Sequence, residues 1–167
     1  MTANVTLFGF EIPRALAMAT AINAVWINAS EIVRYFAFVR DMMQRAFPQV
    51  PDIVPMSLPI FLSWGVWDTL VLLVVTGFTW MYLDRFGGGA RNALVAGTLV
   101  WLAIFVVLWL GLFNMDLATA RIALTALPLA WIEMAIAALI VDWCRRLCER
   151  MQRDRSPGSR GLSATKS

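Results

Sequence analysis

Histidine is absent from the 167 residues, and cysteine occurs only twice. Histidine is the commonest metal ligand in proteins and titrates near neutral pH, so its absence argues against a histidine-based metal site or acid–base catalyst. The cysteines, Cys144 and Cys148, are four residues apart, which fits neither a CxxC redox motif nor a zinc-binding pattern. We therefore expect no metal and no cofactor.

Charged residues are also scarce. They make up 15% of the chain, whereas 60% of its residues are hydrophobic and the mean hydropathy is +0.69. A soluble domain has about a quarter of its residues charged, and here the hydrophobic residues lie in long blocks, so lipid is the expected solvent for most of the chain. The basic residues are concentrated near the C-terminus. That segment suits anionic lipid headgroups, and we expect no nucleic-acid partner.

Polar residues divide the hydrophobic blocks into four spans, at about residues 13–37, 58–83, 93–113 and 120–143. Three consecutive glycines, at 87–89, predict the turn between the second and third spans. The prolines of residues 48–59 predict an extended connector after the first helix, which can continue as far as residue 47 with its charged end in water. The predicted fold class is all-α: a transmembrane four-helix bundle in residues 1–149 and a disordered basic tail in residues 150–167.

Lysine and arginine predict the orientation of this bundle. With four spans both termini lie on one side of the membrane, and this side would hold Arg14, Arg85, Arg91 and the basic C-terminal segment. The opposite side would hold Arg40, Arg45 and Arg121. The positive-inside rule therefore places both termini in the cytoplasm and the chain in the inner or plasma membrane. Because no basic residue precedes Arg14, we expect no cleavable signal peptide.

Four charged side chains lie well inside the hydrophobic blocks: Glu31, Arg34, Asp68 and Glu133. Each costs about 2.5–3.5 kcal/mol in the middle of a membrane helix. Counting residues from the helix ends puts Asp68 and Glu133 near the bilayer midplane, and Glu31 with Arg34 in the outer half of the first span. Helices packed in a bundle can bring all four to similar heights. Three acids beside one base cannot all stay ionised in a low dielectric, so at least one should hold a proton or a cation.

Further polar and aromatic residues extend this candidate site. On the first helix, Asn23, Ser30, Glu31 and Arg34 recur at helical spacing and predict one polar stripe, which faces the bundle interior, with Asn28 as an additional hydrogen-bonding neighbour. Trp64 and Trp67 flank Asp68, and Trp131 precedes Glu133 by two residues. The complete set of candidate ligand- or ion-binding residues is Asn23, Asn28, Ser30, Glu31, Arg34, Trp64, Trp67, Asp68, Trp131 and Glu133.

Structural roles account for the same residues in another way. Glu31 and Arg34 are three residues apart on a helix, close enough to pair and to fix the first helix against its neighbours. The carboxylate of Asp68 can accept hydrogen bonds from the indole N–H groups beside it. Tryptophans are equally suited to filling the core or anchoring a span at the membrane interface.

Three functions fit the pattern. The first is a proton- or cation-linked transporter or channel-like protein, which with four spans implies a homo-oligomer; alanines at 15, 17, 19 and 21 would allow close helix contact. The second is a non-catalytic subunit that assembles or stabilises a larger membrane complex, for which an outward-facing polar stripe would be the sign. The third is a membrane enzyme that uses carboxylates on a lipid or isoprenoid. The enzyme ranks last of the three, because no nucleophile motif or metal-ligand set accompanies the acids.

Overall fold

Four long helices make up most of the protein in the computed structural model, which describes residues 4–7, 10–46, 48–49 and 57–154. They are α1 (Arg14–Ala46), α2 (Leu58–Phe86), α3 (Ala90–Asn114) and α4 (Ala120–Asp154), and each is long and apolar enough to cross a membrane. The predictions of a multi-pass membrane protein and of four helices long enough to span the membrane are confirmed. Most of the predicted proline-rich connector, residues 50–56, lies outside the described residues.

The helices are longer than the predicted spans. Helix α2 continues to Phe86, because Gly87, with φ of +88°, is the first residue that leaves helical geometry. Helix α4 continues to Asp154, so residues 150–154, which the sequence assigned to the tail, are helical. This part of the chain contains Arg, Met and Gln, which favour helix, and no Gly or Pro before Pro157. The rest of the predicted tail, residues 155–167, lies outside the described residues.

A short antiparallel hairpin precedes α1, and the sequence analysis missed it. Strand β1 (Asn4–Leu7) pairs with β2 (Phe10–Pro13) in the register Asn4 to Pro13 and Leu7 to Phe10. The sequence held the signal, since β-branched residues at 5, 6 and 12 lie on either side of Gly9. The all-α prediction therefore holds for the membrane-spanning part and omits this hairpin.

Two of the long helices contain one π-helical segment each. In α1 it covers Tyr35–Val39, directly after Arg34, and in α3 it covers Leu102–Val106. A π-helical segment widens the helix by one residue and turns the side chains after it to a new direction. Such segments are rare and are often found at functional sites.

Small residues let α3 and α4 pack closely. Ala93, Ala96 and Gly97 of α3 are buried. A Cβ atom at Gly97 would lie 2.7 Å from the main-chain oxygen of Met134 and 3.1 Å from the Cβ of Ala138. Only glycine fits there without a shift of the two helix backbones, as is typical of small-residue helix contacts in membranes.

Ala15 and Ala19 of the predicted alanine contact surface are also buried within this bundle. They are used by the chain's own packing, and so they do not present a close-contact surface to a second copy. The predicted homo-oligomer stays a prediction, and of the four alanines only those at 17 and 21 are left for contact with a second copy.

The turn between α2 and α3 is tied to α4. The buried Asp142 accepts a hydrogen bond from the main-chain N–H of Gly89 at 2.8 Å, at the start of α3. The side-chain amide of Asn92 donates to the carbonyl oxygens of Phe86 and Gly87, at 3.0 and 2.9 Å. Asp142 thus caps α3 from a neighbouring helix, and the three glycines form the predicted turn.

Two layers of apolar side chains fill the bundle. Near the glycine turn, one layer contains Ala19, Leu83, Ala93, Val141 and Cys144. Further along the helices, a larger layer contains Ile27, Val71, Leu72, Val75, Val100, Phe105, Ala130, Met134 and Ala137. The four charged residues that the sequence predicts for the site, Glu31, Arg34, Asp68 and Glu133, adjoin the second layer. The candidate site therefore lies away from the glycine turn.

Candidate functional site

Arg34 joins two helices through its guanidinium group. Its Nη1 atom donates to Oε2 of Glu133 on α4 at 3.2 Å, and its Nη2 atom donates to Oε1 of Glu31, one turn earlier on α1. The centre of the guanidinium lies 5.5 Å from the centroid of the Phe105 ring on α3. A cation over an aromatic face is stabilised by the ring's quadrupole, and more so when it is desolvated. Arg34 is therefore held from three sides.

Asp68 of α2 lies close enough to interact electrostatically with all three of these charged residues. It is 8% exposed, Glu31 is 8% exposed and Glu133 is 2% exposed. Three carboxyl groups and one guanidinium from three different helices thus converge in one buried region. We call Glu31, Arg34, Asp68 and Glu133 the charged cluster.

The charged cluster contains carboxylate oxygens that make no hydrogen bond. Oε1 of Glu133 and Oδ1 of Asp68 are both buried and make no hydrogen bond of normal geometry in the described part of the structure, and the Ser30 hydroxyl lies close to the Glu133 carboxylate. Buried polar atoms are nearly always paired, so each such atom calls for a donor. A proton on the carboxyl group or a bound cationic group would supply one.

The four formal charges of the charged cluster sum to −2 when every member is ionised. Burying two uncompensated negative charges is costly, and a proton or a cation bound beside them reduces that cost. Within residues 4–7, 10–46, 48–49 and 57–154, no three carboxylate, thiol or imidazole groups are placed to hold a metal ion together. The chemistry open to the charged cluster is therefore proton exchange, or the binding of a cationic group by a single carboxylate.

A second polar layer lies two helical turns from the charged cluster. Nδ2 of Asn23 donates to Oγ1 of Thr76 on α2 at 3.0 Å and to the main-chain oxygen of Ala137 on α4 at 3.2 Å. Asn23 is fully buried, and its Oδ1 atom has no partner in the described residues. On their helices, Ile27 and Leu72 separate this layer from the charged cluster. The Asn23 side chain thus links α1 to α2 and to α4 by hydrogen bonds.

A groove between α1 and α4 reaches the charged cluster from the side of the bundle. Its volume is about 310 Å³, and it is lined by Trp26, Ala29, Ser30, Val33, Arg34, Phe38, Leu129, Ile132 and Glu133. Val33 and Ile132 at its edges are 61% and 46% exposed. We call this feature the side groove. In a membrane its open side faces lipid.

Four of the predicted site residues lie at the charged cluster itself, and two others lie nearby. Ser30 lines the side groove and donates to the main-chain oxygen of Ile27 at 3.1 Å. Trp67 is partly buried and packs against the larger apolar layer. Asn23 belongs to the second polar layer.

The other three predicted residues face away from the charged cluster. Asn28 is exposed and donates to the main-chain oxygen of Ala24 in its own helix at 2.7 Å. Trp64 is 48% exposed, and Trp131 is 39% exposed with its indole N–H on Oγ1 of Thr98 at 3.0 Å. A helix turns by about 100° per residue, so a neighbour in sequence points to another side of the helix.

Sequence reasoning missed Phe105 and Trp26. Phe105 lies under Arg34 from within the π-helical segment of α3. Trp26 lines the side groove and donates from its indole N–H to the main-chain oxygen of Glu133 at 3.1 Å. No pattern in the sequence of α3 indicates which of its many apolar residues turns toward Arg34. Both π-helical segments adjoin the charged cluster.

Comparison of the chain with protein-family models, with curated proteins and with solved structures gives no match.

Proposed function

We propose that this protein moves protons, or a proton-linked cation, across the membrane, with the charged cluster as the exchangeable binding site. The observation that carries the proposal is that two buried carboxyl groups, of Glu31 and Glu133, pair with a single guanidinium, while the buried carboxyl group of Asp68 lies within electrostatic range of them without a hydrogen bond on Oδ1. Ionisable groups inside a membrane are costly and typically mark ion pathways or proton relays.

The direction of the polar stripe favours this function over that of an assembly subunit. Asn23, Ile27 and Glu31 are buried and face α2 and α4. A stripe that served to recruit another membrane protein would face outward. Glu31 and Glu133 both pair with Arg34 of the same chain, as a site internal to this chain requires.

The orientation and the membrane are part of the proposal. The basic residues near the glycine turn and at the C-terminal end of α4 favour a cytoplasmic location of both termini, in an inner or plasma membrane. Cys148 lies at this end and is partly exposed. A membrane-impermeant maleimide should therefore label Cys148 in inverted vesicles and not in intact cells.

The functional test is flux in proteoliposomes that contain the purified chain and a trapped pH indicator. Under an imposed membrane potential, wild-type protein should pass protons faster than empty liposomes. Asp68→Asn and Glu133→Gln should each reduce that rate to the background, because each removes a carboxyl group that can exchange a proton. The matched controls are Asp41→Asn on α1 and Glu149→Gln on α4. Each neutralises an exposed carboxylate of a membrane-spanning helix and should retain the wild-type rate.

Two results would contradict the proposal. In one, wild-type liposomes behave as empty liposomes for protons, sodium, potassium and small amines. In the other, the double variant Asp68→Asn, Glu133→Gln is folded and every measurable flux stays at the wild-type rate.

A further inference from the structure

The side groove combines an apolar body with a charged end at the charged cluster. Along its length it presents Val33, Leu129 and Ile132, and the aromatic rings of Trp26 and Phe38. Its polar end is formed by Ser30, Arg34 and Glu133. Ligand pockets in proteins have this composition, with a mainly apolar lining and a few polar groups that fix orientation, and a volume of about 310 Å³ suits a small organic molecule.

The charge at the polar end favours a cationic ligand over an anionic one. The guanidinium of Arg34 is already engaged by Glu31 and Glu133, so it has no free charge to offer an anion. The acids of the charged cluster outnumber their one base by two. An anion placed here would add to an excess of negative charge, whereas a cation would reduce it.

Glu133 provides the specific acceptor. Its side chain is 2% exposed and lines the side groove, one oxygen is bound by Arg34, and the buried Oε1 makes no hydrogen bond of normal geometry within the described residues, with the Ser30 hydroxyl close to the carboxylate. A protonated amine carries N–H donors that can pair with Oε1, and the rings of Trp26 and Phe38 favour a positive group nearby. A bare inorganic ion would find too few oxygen ligands in so apolar a lining.

We propose that the side groove binds a lipophilic amine in its protonated form, which enters from the lipid and pairs with Glu133. The inference rests on the proposed function, in which the charged cluster exchanges protons, and it names the substrate class. The exchange is balanced: a protonated carboxyl group and an alkylammonium ion give a carboxylate–alkylammonium pair and one released proton. An amine of this class is positively charged at neutral pH, as lysine is.

The test is calorimetric titration of the full chain in detergent micelles with three probes of the same shape: naphthylethylamine, naphthylethanol and naphthylacetate. After subtraction of titrations into protein-free micelles, only the amine should bind saturably. Glu133→Gln should weaken amine binding about tenfold, since a charge-assisted hydrogen bond is lost. Glu149→Gln, which neutralises an exposed carboxylate of the same helix, should bind as wild type does.

A second variant keeps the charged cluster intact. Ala29 is exposed and lines the side groove, so Ala29→Phe should fill the groove and also weaken amine binding about tenfold. Ala21→Phe places the same ring on an exposed position of α1 outside the groove, and its affinity should equal that of wild type. Equal affinities for Ala29→Phe and wild type would overturn the assignment of the groove.

Repeating the amine titration in two buffers of different ionisation enthalpy counts the protons released. Binding with release supports both the ligand class and proton exchange. Binding without release supports the ligand class and contradicts the exchange at this site. If the amine fails to bind, or if naphthylacetate binds as tightly, the inference is overturned, whereas a proton flux that still depends on Glu133 leaves the proposed function standing.

Discussion

Arg34→Gln should cost about 3–5 kcal/mol of stability, because it leaves buried carboxylates without their only positive partner. Arg34 is the one basic residue of the charged cluster, and it pairs with both Glu31 and Glu133. Removing it also removes the cation from the face of Phe105. The measurement is unfolding by sodium dodecyl sulfate in mixed micelles, followed by tryptophan fluorescence. Arg40→Gln, at an exposed position of the same helix, should unfold with the wild-type midpoint.

Restoring the charge balance should rescue this variant. In the triple variant Arg34→Gln, Glu31→Gln and Glu133→Gln, the uncompensated charges next to position 34 are gone, and most of the lost stability should return. Breaking a buried ion pair is far more costly than replacing all of its members with neutral groups. An Arg34→Gln variant as stable as Arg40→Gln would show that the four charged groups do not depend on one another.

Gly97→Ala should destabilise the contact between α3 and α4 by about 1–3 kcal/mol, the usual cost of forcing extra volume into a packed interface. The added Cβ would lie 2.7 Å from the main-chain oxygen of Met134, and a backbone atom cannot rotate away as a side chain can. The two helices must separate, which also moves Glu133, the neighbour of Met134. The same fluorescence-detected unfolding measures the loss.

Gly111→Ala is the matched control for Gly97→Ala. It lies on the same helix, and a Cβ there would meet no atom within 4 Å. The alanine should leave the stability unchanged or raise it slightly, because alanine favours helix more than glycine does. If Gly97→Ala and Gly111→Ala unfold at the same detergent fraction, the close packing of α3 against α4 is not what the structure indicates.

The membrane class and the four helices could be read from the sequence, because both follow from the length and polarity of hydrophobic blocks. The charged members of the site were equally visible, since Glu31, Arg34, Asp68 and Glu133 interrupt those blocks. Their polarity alone identifies them. Because a buried charge is costly unless it is paired, charged residues on neighbouring helices are expected to lie close together.

The surroundings of the charged residues could not be read in the same way. Trp64 and Trp131 were chosen for being close in sequence to Asp68 and Glu133, and the rotation of the helix points them outward. Phe105 comes from α3. The predicted span of this helix, residues 93–113, contains no charged residue that would mark the side facing the site. Which apolar residue faces a neighbouring helix depends on helix rotation, and π-helical segments change that rotation without a clear sequence signal.

In the proposed function, the charged cluster switches between two states of charge. Arg34 holds Glu31 and Glu133 at once, so a proton or an alkylammonium ion that binds Glu133 competes with the guanidinium for the same carboxylate. Release of Arg34 from Glu133 would loosen a link between α1 and α4 at the side groove. In this way occupancy of the site can be coupled to the contact between two helices.

The central claim is that the buried acids of the charged cluster share too much negative charge for all of them to stay ionised. Infrared difference spectroscopy of the reconstituted protein during a pH titration tests it most directly. We predict a titrating C=O stretching band of a protonated carboxylic acid that is lost in Glu133→Gln or Asp68→Asn and retained in Glu149→Gln. A spectrum with no such band at any pH at which the protein is folded, or a band unchanged in all three variants, would contradict the account.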